Sequence, residues 1–323
     1  MEYRHLGRTG LRISPLCLGT MNFGTHTDES HSFQIMDHAL DQGINFFDTA
    51  NVYGGIKGEG VTEQIVGRWL AQGDGRRERI VLATKVYGHM GDGPNDYGLS
   101  AYHIKRACEG SLQRLQTDHI DLYQMHHVDR QTPWEEIWQA MEQLITEGKI
   151  LYVGSSNFGG LHIALANLSA QRRNTLGLVA EQSLYNLAHR MIELEVIPAC
   201  KEFGMGIIPW SPLAGGLLGG MTDKRGSDRR KEKWVQDALQ KNKNKVDAYE
   251  SLCHNLDMHP AQLALAWLLY NPVVAAPIIG PRTMEQLEDA AAATKIKVTA
   301  EIAKQLDEIW PGPGGEAPEA YAW

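Results

Sequence analysis

Eight short apolar segments alternate with amphipathic segments along the chain, and this alternation limits the fold more than any other feature. Each apolar segment is apolar throughout, which is typical of strands that are buried on both faces. A strict alternation of strands and helices in one uninterrupted chain predicts a parallel sheet. The predicted strands span residues 16–19, 45–47, 80–84, 120–124, 150–154, 178–181, 206–209 and 273–278.

Helical periodicity separates these strands, and a turn signal opens the chain. Residues 3–6 and 11–13 flank Gly7-Arg8-Thr9-Gly10, which predicts a hairpin. Eight repeats over 323 residues predict an α/β fold of the (β/α)8 TIM-barrel class with an N-terminal β-hairpin and extra C-terminal helices, as a single domain over residues 1–323. The predicted helices span 30–42, 61–71, 101–115, 134–147, 160–171, 192–203 and 283–293, with extra helices at 246–256 and 260–271.

The alternative architecture is a doubly wound sheet that binds a nucleotide. Its fingerprint, G-x-G-x-x-G directly after the first strand, is absent from this sequence. The regularity of the repeat therefore favours the barrel.

Composition excludes several classes of function. Hydrophobic residues make up 43% of the chain and charged residues 22%, which is an ordinary globular balance. The net charge is -8 and no basic tract dominates, which argues against binding to nucleic acid. The sequence starts without an apolar signal region and contains no run long enough to span a membrane. Four scattered cysteines without a C-x-x-C pair indicate a reduced, cytoplasmic protein.

Two segments are too long to be simple connections between repeats. Residues 87–100 follow the third strand, and residues 211–245 follow the seventh and carry a charged tract at 223–233. The second segment is either a solvated insertion or a lid over the binding site, and we favour the lid because the segment begins at the carboxyl end of a strand. The tail, residues 311–323, is rich in Pro, Gly and Ala and is expected to be ordered only if Tyr321 and Trp323 dock.

Polar residues follow three of the predicted strands where each strand ends. They are Asp48, Lys85 and His126, and Tyr53 lies on the loop after Asp48. Each one alone has an ordinary structural explanation, but ligands bind at this end of a barrel, so the cluster predicts a site. A carboxylate and a phenol beside a cation predict acid–base chemistry, because a nearby ammonium lowers the pKa of a phenol. A metal site is the competing interpretation; the sequence contains no H-x-H or H-E-x-x-H spacing, and the lysine would repel a cation.

In this order, the four residues resemble the catalytic tetrad of the aldo-keto reductase superfamily. Within the superfamily the chain is similar to the branch that holds actinomycete nucleotide-deoxysugar ketoreductases and the β subunits of potassium channels, on the runs Ile120–Asp129 and Gly312–Gly315. The superfamily resemblance extends from the hairpin to about Trp310 and includes Gly19-Thr20-Met21, Asp48-Thr49-Ala50-x-x-Tyr53-Gly54, Gly154-Ser155-Ser156-Asn157, Glu181-Gln182-x-x-Tyr185-Asn186 and Trp210-Ser211-Pro212-Leu213.

The resemblance implies a reaction and a role for each tetrad member. A hydride is added to a carbonyl carbon, and Tyr53 delivers a proton to the oxygen as general acid. Lys85 lowers the pKa of Tyr53, Asp48 holds Lys85 in place, and His126 hydrogen-bonds the carbonyl. No metal takes part.

The resemblance also implies a nicotinamide cofactor, NADPH/NADP⁺. Trp210 stacks on its ring, and Arg282, near the start of a helix, binds the 2′-phosphate and selects NADPH over NADH. Three polar residues, Ser156, Asn157 and Gln182, bind the carboxamide. The remaining implied cofactor contacts are Gly19, Thr20, Met21, Asp48, Ser211, Pro212, Leu213, Gly215, Gly280, Gln286 and Asp289.

The sequence therefore predicts an NADPH-dependent carbonyl reductase that acts on a small-molecule aldehyde or ketone. A keto-deoxysugar nucleotide is the specific substrate hypothesis, with the basic tract 224–231 of the lid as its phosphate receptor. Met21, Phe23, Tyr87 and the loop 88–100 are expected to line the substrate pocket. The alternative function is a redox-sensing or regulatory subunit that binds NADPH and turns over slowly. The sequence predicts no nucleic-acid or membrane partner and leaves a homo-oligomer open.

Overall fold

Eight parallel strands form one sheet that curls into a nearly closed barrel, which confirms the predicted (β/α)8 fold. The computed structural model describes residues 1–55, 57–220 and 232–318. The strands are β1 (Arg4–His5), β2 (Arg12–Ile13), β3 (Cys17–Gly19), β4 (Phe46–Asp48), β5 (Val81–Val86), β6 (Ile120–Met125), β7 (Ile150–Ser156), β8 (Leu178–Leu184), β9 (Gly206–Trp210) and β10 (Ile278–Ile279). Neighbouring strands pair in the order β10-β3-β4-β5-β6-β7-β8-β9, and β1 and β2 form a separate antiparallel hairpin.

The barrel closes through the segment that precedes β10. Ile207 in β9 donates from its backbone N–H to the Val273 carbonyl at 2.8 Å, and Ala275 N–H donates to the Ile207 carbonyl at 2.7 Å. The predicted strand at 273–278 is therefore wrong in its bounds, since only Ile278–Ile279 forms a strand. Pro277 has no N–H to donate, which interrupts the ladder between these two parts.

Helices pack around the barrel at the predicted places, with three additions. Those not expected, in the described part of the chain, are α3 (Arg76–Arg79), α8 (Lys233–Lys241) and α12 (Ala300–Ile309). The predicted helix at 192–203 is a 3₁₀ turn, Met191–Glu193, followed by a shorter helix. The helices are α1 (Glu29–Asp41), α2 (Val61–Leu70), α3 (Arg76–Arg79), α4 (Ala101–Leu115), α5 (Trp134–Thr146), α6 (Gly160–Arg172), α7 (Val196–Glu202), α8 (Lys233–Lys241), α9 (Lys243–Asn255), α10 (Pro260–Tyr270), α11 (Met284–Ala292) and α12 (Ala300–Ile309).

The hairpin closes the amino-terminal end of the barrel. Leu6 and Ile13 are fully buried and pack in one cluster with side chains from the barrel interior. The interior members of this cluster are Cys17, Phe46, Val81, Ala83, Leu122, Val179, Ala180, Ile208, Ala275 and Ala276. Since this end is plugged by apolar side chains, only the carboxyl ends of the strands remain for a site.

Part of the predicted lid and of the tail lies outside the described residues. The basic tract 224–231 does, as do Tyr321 and Trp323. Within the described part of the tail, Ala317 N–H donates to the Leu194 carbonyl at 2.9 Å, so the tail runs back over the barrel. In the described ranges, no helix has the length and apolar character needed to cross a membrane.

Candidate active site

The four predicted tetrad residues meet at the carboxyl ends of three neighbouring strands. Asp48 is the last residue of β4, Lys85 lies near the end of β5, and His126 directly follows β6. Lys85 Nζ lies 2.5 Å from Asp48 Oδ2, 2.8 Å from the Thr49 carbonyl and 3.2 Å from the Tyr53 hydroxyl. All three lysine protons therefore have oxygen acceptors, which fixes the ammonium between the carboxylate and the phenol.

Asp48 has two further partners that the sequence did not reveal in this role. Gln124 in β6 and Gln182 in β8 each donate from Nε2 to Asp48 Oδ1 at 2.9 Å. Gln182 also donates to the Gln124 side-chain carbonyl at 3.2 Å. Both oxygens of the buried carboxylate are thus satisfied, which a buried charge requires. A glutamine one residue before the carboxyl end of the buried strand β6 is the signal that could have identified Gln124.

Lys85 stays protonated although its side chain is fully buried. Burial lowers the pKa of Lys85, but the charge of Asp48 and the neighbouring Tyr53 outweigh burial and raise it above the usual lysine value. A partner that is itself charged and buried compensates for the lost hydration. The site therefore contains a permanent cation at its floor.

The expected lowering of the Tyr53 pKa is wrong in its net direction. Burial raises the pKa of Tyr53 and the charge of Asp48 adds to that effect, whereas Lys85 lowers it; the net pKa is above the ordinary phenol value. The phenol lies in a mouth walled by protein, so loss of water exceeds the attraction of the ammonium. Tyr53 is consequently protonated at neutral pH, as a proton donor must be.

His126 is a neutral imidazole in this arrangement. Burial, the charge of Lys85 and the neighbouring His127 together lower the pKa of His126 to about 2. Its ring centroid lies 6.0 Å from that of Tyr53 in an edge-to-face arrangement, and it stacks on the His127 ring at 5.0 Å. A neutral ring beside a protonated phenol can donate a hydrogen bond but does not serve as a proton source at neutral pH.

A cavity of about 780 Å³ opens above the tetrad, and Asp48, Tyr53 and His126 line it. Its volume is in the range of pockets that hold small molecules and cofactors. The lining includes every residue that the sequence predicted as a cofactor contact: Gly19, Thr20, Met21, Asp48, Ser156, Asn157, Gln182, Trp210, Ser211, Pro212, Leu213, Gly215, Gly280, Arg282, Gln286 and Asp289.

The turn after β7 connects the cavity wall to the tetrad. Asn157 has a left-handed backbone conformation, with φ of +60°, which asparagine tolerates better than most residues. Its side-chain Nδ2 donates to the His126 carbonyl at 3.1 Å and to the Ser156 hydroxyl at 3.0 Å. Trp210 donates from Nε1 to Asn157 Oδ1 at 3.1 Å, which fixes the indole against this turn.

Glu181 lies behind the same turn. It is the first residue of the motif Glu181-Gln182-x-x-Tyr185-Asn186, but the sequence did not indicate a role for it. Its carboxylate is fully buried and accepts hydrogen bonds from the Ser155 hydroxyl, from the Ser183 hydroxyl at 2.7 Å and from the Phe158 N–H at 3.1 Å. Burial raises the pKa of Glu181 to about 7, against the lowering effect of the hydrogen bonds from Ser155 and Ser183. Glu181 thus anchors the backbone that carries Asn157.

The opposite wall is formed by the start of α11. Thr283 caps this helix by accepting from Gln286 N–H at 3.3 Å, and the Arg282 N–H donates to Gln286 Oε1 at 2.8 Å. Asn22, near the end of β3, donates from Nδ2 to the Gly280 carbonyl at 3.0 Å. A guanidinium beside a helix N-terminus suits a phosphate group.

The described part of the lid places an aromatic side chain over a glycine turn. Gly215 has φ of +68°, and a methyl group added there would lie 2.2 Å from the Trp234 ring. Trp234, at the start of α8, is 53% exposed and lines the cavity together with Glu232. Both residues lie in the predicted lid, residues 211–245, but sequence reasoning assigned neither a role, because no motif in the lid indicates which residue packs over residues 214–216.

The residues that were expected to line the substrate pocket lie in different surroundings. Met21 is exposed and lines the cavity. His127 lines it as well, although the sequence did not single this residue out. Phe23 is fully buried in the core, so its placement in the pocket is wrong. Tyr87 packs edge-to-face against His127 at 5.3 Å and so supports the rim from behind. The loop 88–100 is tied to the loop after β4 by the Lys57–Asp92 ion pair.

Two features of the described residues show where the chemistry lies. Among the described residues, no group of three or more His, Cys, Asp or Glu side chains is arranged to hold a metal ion. A second cavity, of about 1100 Å³, lies far from the tetrad between the N-terminal segment and the helices near the C-terminus. It contains none of the strand-end residues, so the chemistry belongs to the first cavity.

Comparison with known proteins agrees with this geometry. The model of the Aldo/keto reductase family matches residues 15–311. The chain is 56% identical to an uncharacterized oxidoreductase of Bacillus subtilis, YrpG, over 100% of both chains. It is 32% identical to versiconal hemiacetal acetate reductase of Aspergillus parasiticus, over 95% of this chain and 96% of the relative. It is 34% identical to a protein of Arabidopsis thaliana named as a probable voltage-gated potassium channel subunit beta, over 92% of each.

Proposed function

Because the chain belongs to the aldo/keto reductase family, we propose that it is an NADPH-dependent carbonyl reductase in which Tyr53 is the general acid. One observation carries this proposal. Lys85 donates a hydrogen bond to the Tyr53 oxygen at 3.2 Å while Asp48 holds the ammonium at 2.5 Å. The phenol proton is thereby left to point into the cavity, toward a carbonyl oxygen.

The residues around the cavity fit a nicotinamide dinucleotide phosphate. A half-buried indole, Trp210, offers a flat apolar face, the amide of Asn157 contacts it, and Gln182 lines the same cavity. At the other end, Arg282 would hold the 2′-phosphate, and the small residues from Ser211 to Gly215 would let backbone approach the pyrophosphate. When bound, the cofactor supplies the hydride.

The chain's own residues supply the proton and the orientation. The substrate oxygen gains negative charge as its carbon is reduced, and the Tyr53 hydroxyl donates a proton to it. The ammonium of Lys85 stabilises the phenolate that this transfer leaves behind. Neutral His126 donates a hydrogen bond to the same oxygen and sets its angle. General acid catalysis of this kind contributes about 10²–10⁴-fold, and the rest comes from orientation.

Replacing the acid tests the proposal. Tyr53→Phe should lower the rate of the chemical step at least ~10²-fold while NADPH still binds, because only proton delivery is lost. Lys85→Met should have a comparable effect, because it removes the cation beside the phenol. The matched control is Tyr102→Phe on the exposed face of α4, which should retain normal turnover. Near-normal single-turnover reduction by Tyr53→Phe would exclude Tyr53 as the acid.

We propose an aldehyde or ketone as the substrate, with a keto-deoxysugar nucleotide as the specific hypothesis. That hypothesis rests on the resemblance to nucleotide-deoxysugar ketoreductases and on the basic tract 224–231, which lies outside the described residues. Among the described residues that line the cavity, Arg282 is the one lysine or arginine, and it is assigned to the cofactor. The described lining of the cavity, which includes Met21, Trp210 and Trp234, suits an apolar or aromatic carbonyl compound.

A second candidate function is an NADPH-binding regulatory subunit with slow turnover. The similarity to the Arabidopsis protein named as a potassium channel subunit favours it. The complete tetrad favours the enzyme. Steady-state assays with a panel of aldehydes and ketones separate the two, because a regulatory subunit would bind NADPH and oxidise it at most once on the assay timescale.

A further inference from the structure

Helix α6 is apolar on its outward side as well as on its inward side. Its inward face packs against the barrel through Ile163, Ala166, Asn167 and Ala170, which are all buried. A helix that is hydrophobic all round is normally enclosed by protein. In the largely apolar helix α10, for example, residues Leu263 to Leu268 are all buried.

The outward face of α6 carries a ridge of three leucines, which we call the leucine ridge. Leu161, Leu165 and Leu168 are 65%, 43% and 46% exposed. Spacings of four and three residues place them in one line along the helix. The exposed positions of neighbouring α5 are mostly polar, for example Glu135, Gln139 and Gln143.

Charged residues of opposite sign lie at the two ends of the ridge. Arg172 ends α6 and is exposed. At the start of α6, Glu195 packs so closely that a methyl group on Gly160 would lie 3.0 Å from its Cβ, and the glutamate is also exposed. Across residues 1–55, 57–220 and 232–318, neither charge forms an ion pair. Met191, in the turn before Glu195, is a further large apolar side chain that is 69% exposed.

We propose that the protein forms a two-fold homodimer in which the leucine ridges of two copies pack antiparallel. The axis passes beside Leu165, so that Leu161 of each copy meets Leu168 of the other. At 1.5 Å per residue, Arg172 then lies about 11 Å from the midpoint of the ridge, and the start of α6, beside Glu195, lies about 7 Å from it on the opposite side. The two-fold rotation therefore places Arg172 of one copy near the start of α6 in the other copy. The two lie within about 4 Å of each other as measured along the helix axis.

Charge selects this arrangement over the parallel one. In a parallel pair, the Arg172 side chains of the two copies would meet, and so would the two Glu195 side chains. Like charges across an interface oppose association, and opposite charges at its rim fix the register. The antiparallel pair makes two Arg172–Glu195 contacts around a core of six leucines. Such an interface uses the same surface on both copies and closes without growing into a fibre.

The test measures the dimer dissociation constant by sedimentation equilibrium. The unmodified full chain should sediment as a dimer at micromolar concentrations. Leu165→Gln, which changes the centre of the ridge in both copies, should raise the dissociation constant about ten-fold or more. Tyr102→Gln alters another large exposed residue, on α4, and should leave the dissociation constant unchanged. Thermal unfolding of each variant would show whether the fold is retained.

A charge exchange then tests the register. Arg172→Glu and Glu195→Arg should each weaken the dimer several-fold, because each creates like-charged contacts, and the double variant should restore it. A wild-type monomer across the concentration range overturns the proposal. So does a dimer that Leu165→Gln does not weaken, or one in which the double exchange fails to recover what the single changes lost. None of these outcomes depends on reductase activity, so the result is independent of the proposed function.

Discussion

The site contains two buried ionisable residues, Lys85 and Glu181, and burial determines the direction of the pKa shift in Glu181 only. Lys85 is surrounded by the carboxylate of Asp48 and two further oxygens, so its pKa rises although burial alone would lower it. Glu181 receives hydrogen bonds from hydroxyls and backbone N–H groups, and burial raises its pKa to about 7. A partner of opposite charge offsets desolvation, whereas neutral donors offset only part of it.

The raised pKa of Glu181 predicts a loss of stability as pH rises. A glutamate ionises near 4.5 when unfolded, whereas Glu181 in the folded chain holds its proton up to about pH 7. Between these values the folded state binds the extra proton, so raising the pH shifts the equilibrium toward unfolding. We expect the free energy of unfolding to fall by on the order of 3 kcal/mol across this window from Glu181 alone. Urea unfolding at a series of pH values measures it.

Glu181→Gln is the matched control, because glutamine keeps the size and does not ionise. The difference in unfolding free energy between wild type and Glu181→Gln should change with pH between 4.5 and about 7 and level off on either side. A difference that is flat across this window would show that Glu181 is not protonated in the folded protein.

At Arg282, the prediction concerns the choice between the two nicotinamide cofactors. Arg282→Ala should weaken NADPH binding by about 1.5–3 kcal/mol, the range for a hydrogen bond to a charged group, and leave NADH nearly unchanged. Titration of both cofactors by quenching of tryptophan fluorescence measures the two losses. Arg68→Ala, which removes a surface arginine from α2, controls for the change in net charge. Equal losses for both cofactors would show that Arg282 does not bind the 2′-phosphate.

Among the elements, those with local signals were predictable from the sequence. The buried strands β5 and β6 and helices such as α2 and α4 begin within a residue of their expected positions. The errors fall where contacts with other elements determine the bounds of an element. The last strand shrinks to Ile278–Ile279 because Pro277 interrupts it and the preceding residues pair with β9 instead.

The same distinction holds within the candidate site. The strand-end residues Asp48, Lys85 and His126 could be placed together because parallel strands end at one face of a barrel. Gln124, Glu181 and Trp234 could not be given roles. The first two support the site from inside the barrel wall, and the third reaches it from a helix distant in sequence.

One buried carboxylate, that of Glu63, joins three elements of the barrel, so we expect its removal to lower the stability of the fold strongly. Glu63 in α2 is fully buried and accepts from the Thr84 hydroxyl in β5 at 2.6 Å and from Arg114 Nε in α4 at 2.7 Å. Glu63→Ala should lower the free energy of unfolding by about 3–5 kcal/mol, because it leaves Arg114 unpaired beside the barrel. Guanidinium titration followed by circular dichroism measures this loss.

A surface ion pair on the same helix provides the comparison. Arg68 in α2 pairs with Glu29, and both side chains are more than 40% exposed. Arg68→Ala should cost at most about 1 kcal/mol, because exposed pairs are hydrated and screened. If the two substitutions destabilised the protein equally, the buried network would not hold α2, β5 and α4 together as inferred.

On the scale of the whole molecule, the barrel has one closed end and one open end. The hairpin residues Leu6 and Ile13 fill the amino-terminal end, and the cavity above the tetrad occupies the other. The net charge of the chain is -8, so an anionic substrate approaches a protein of the same sign. Such a substrate needs a local group of cations at the open end to be attracted to it.

The salt dependence of catalysis distinguishes the substrate classes. If a keto-deoxysugar nucleotide is guided by the tract 224–231, its kcat/KM should fall as ionic strength rises, because exposed charges are screened beyond about 10 Å at 0.1 M salt. A neutral aromatic aldehyde should show a far smaller change. Steady-state reduction of both compounds across a salt series at saturating NADPH makes the comparison. Replacing Arg229, Arg230 and Lys231 with glutamine, which removes three of the five basic residues of the tract, should reduce the salt dependence for the sugar nucleotide and leave the aldehyde unaffected. If the aldehyde is reduced efficiently and the sugar nucleotide is not reduced at all, the sugar-nucleotide hypothesis is wrong and a general carbonyl reductase remains.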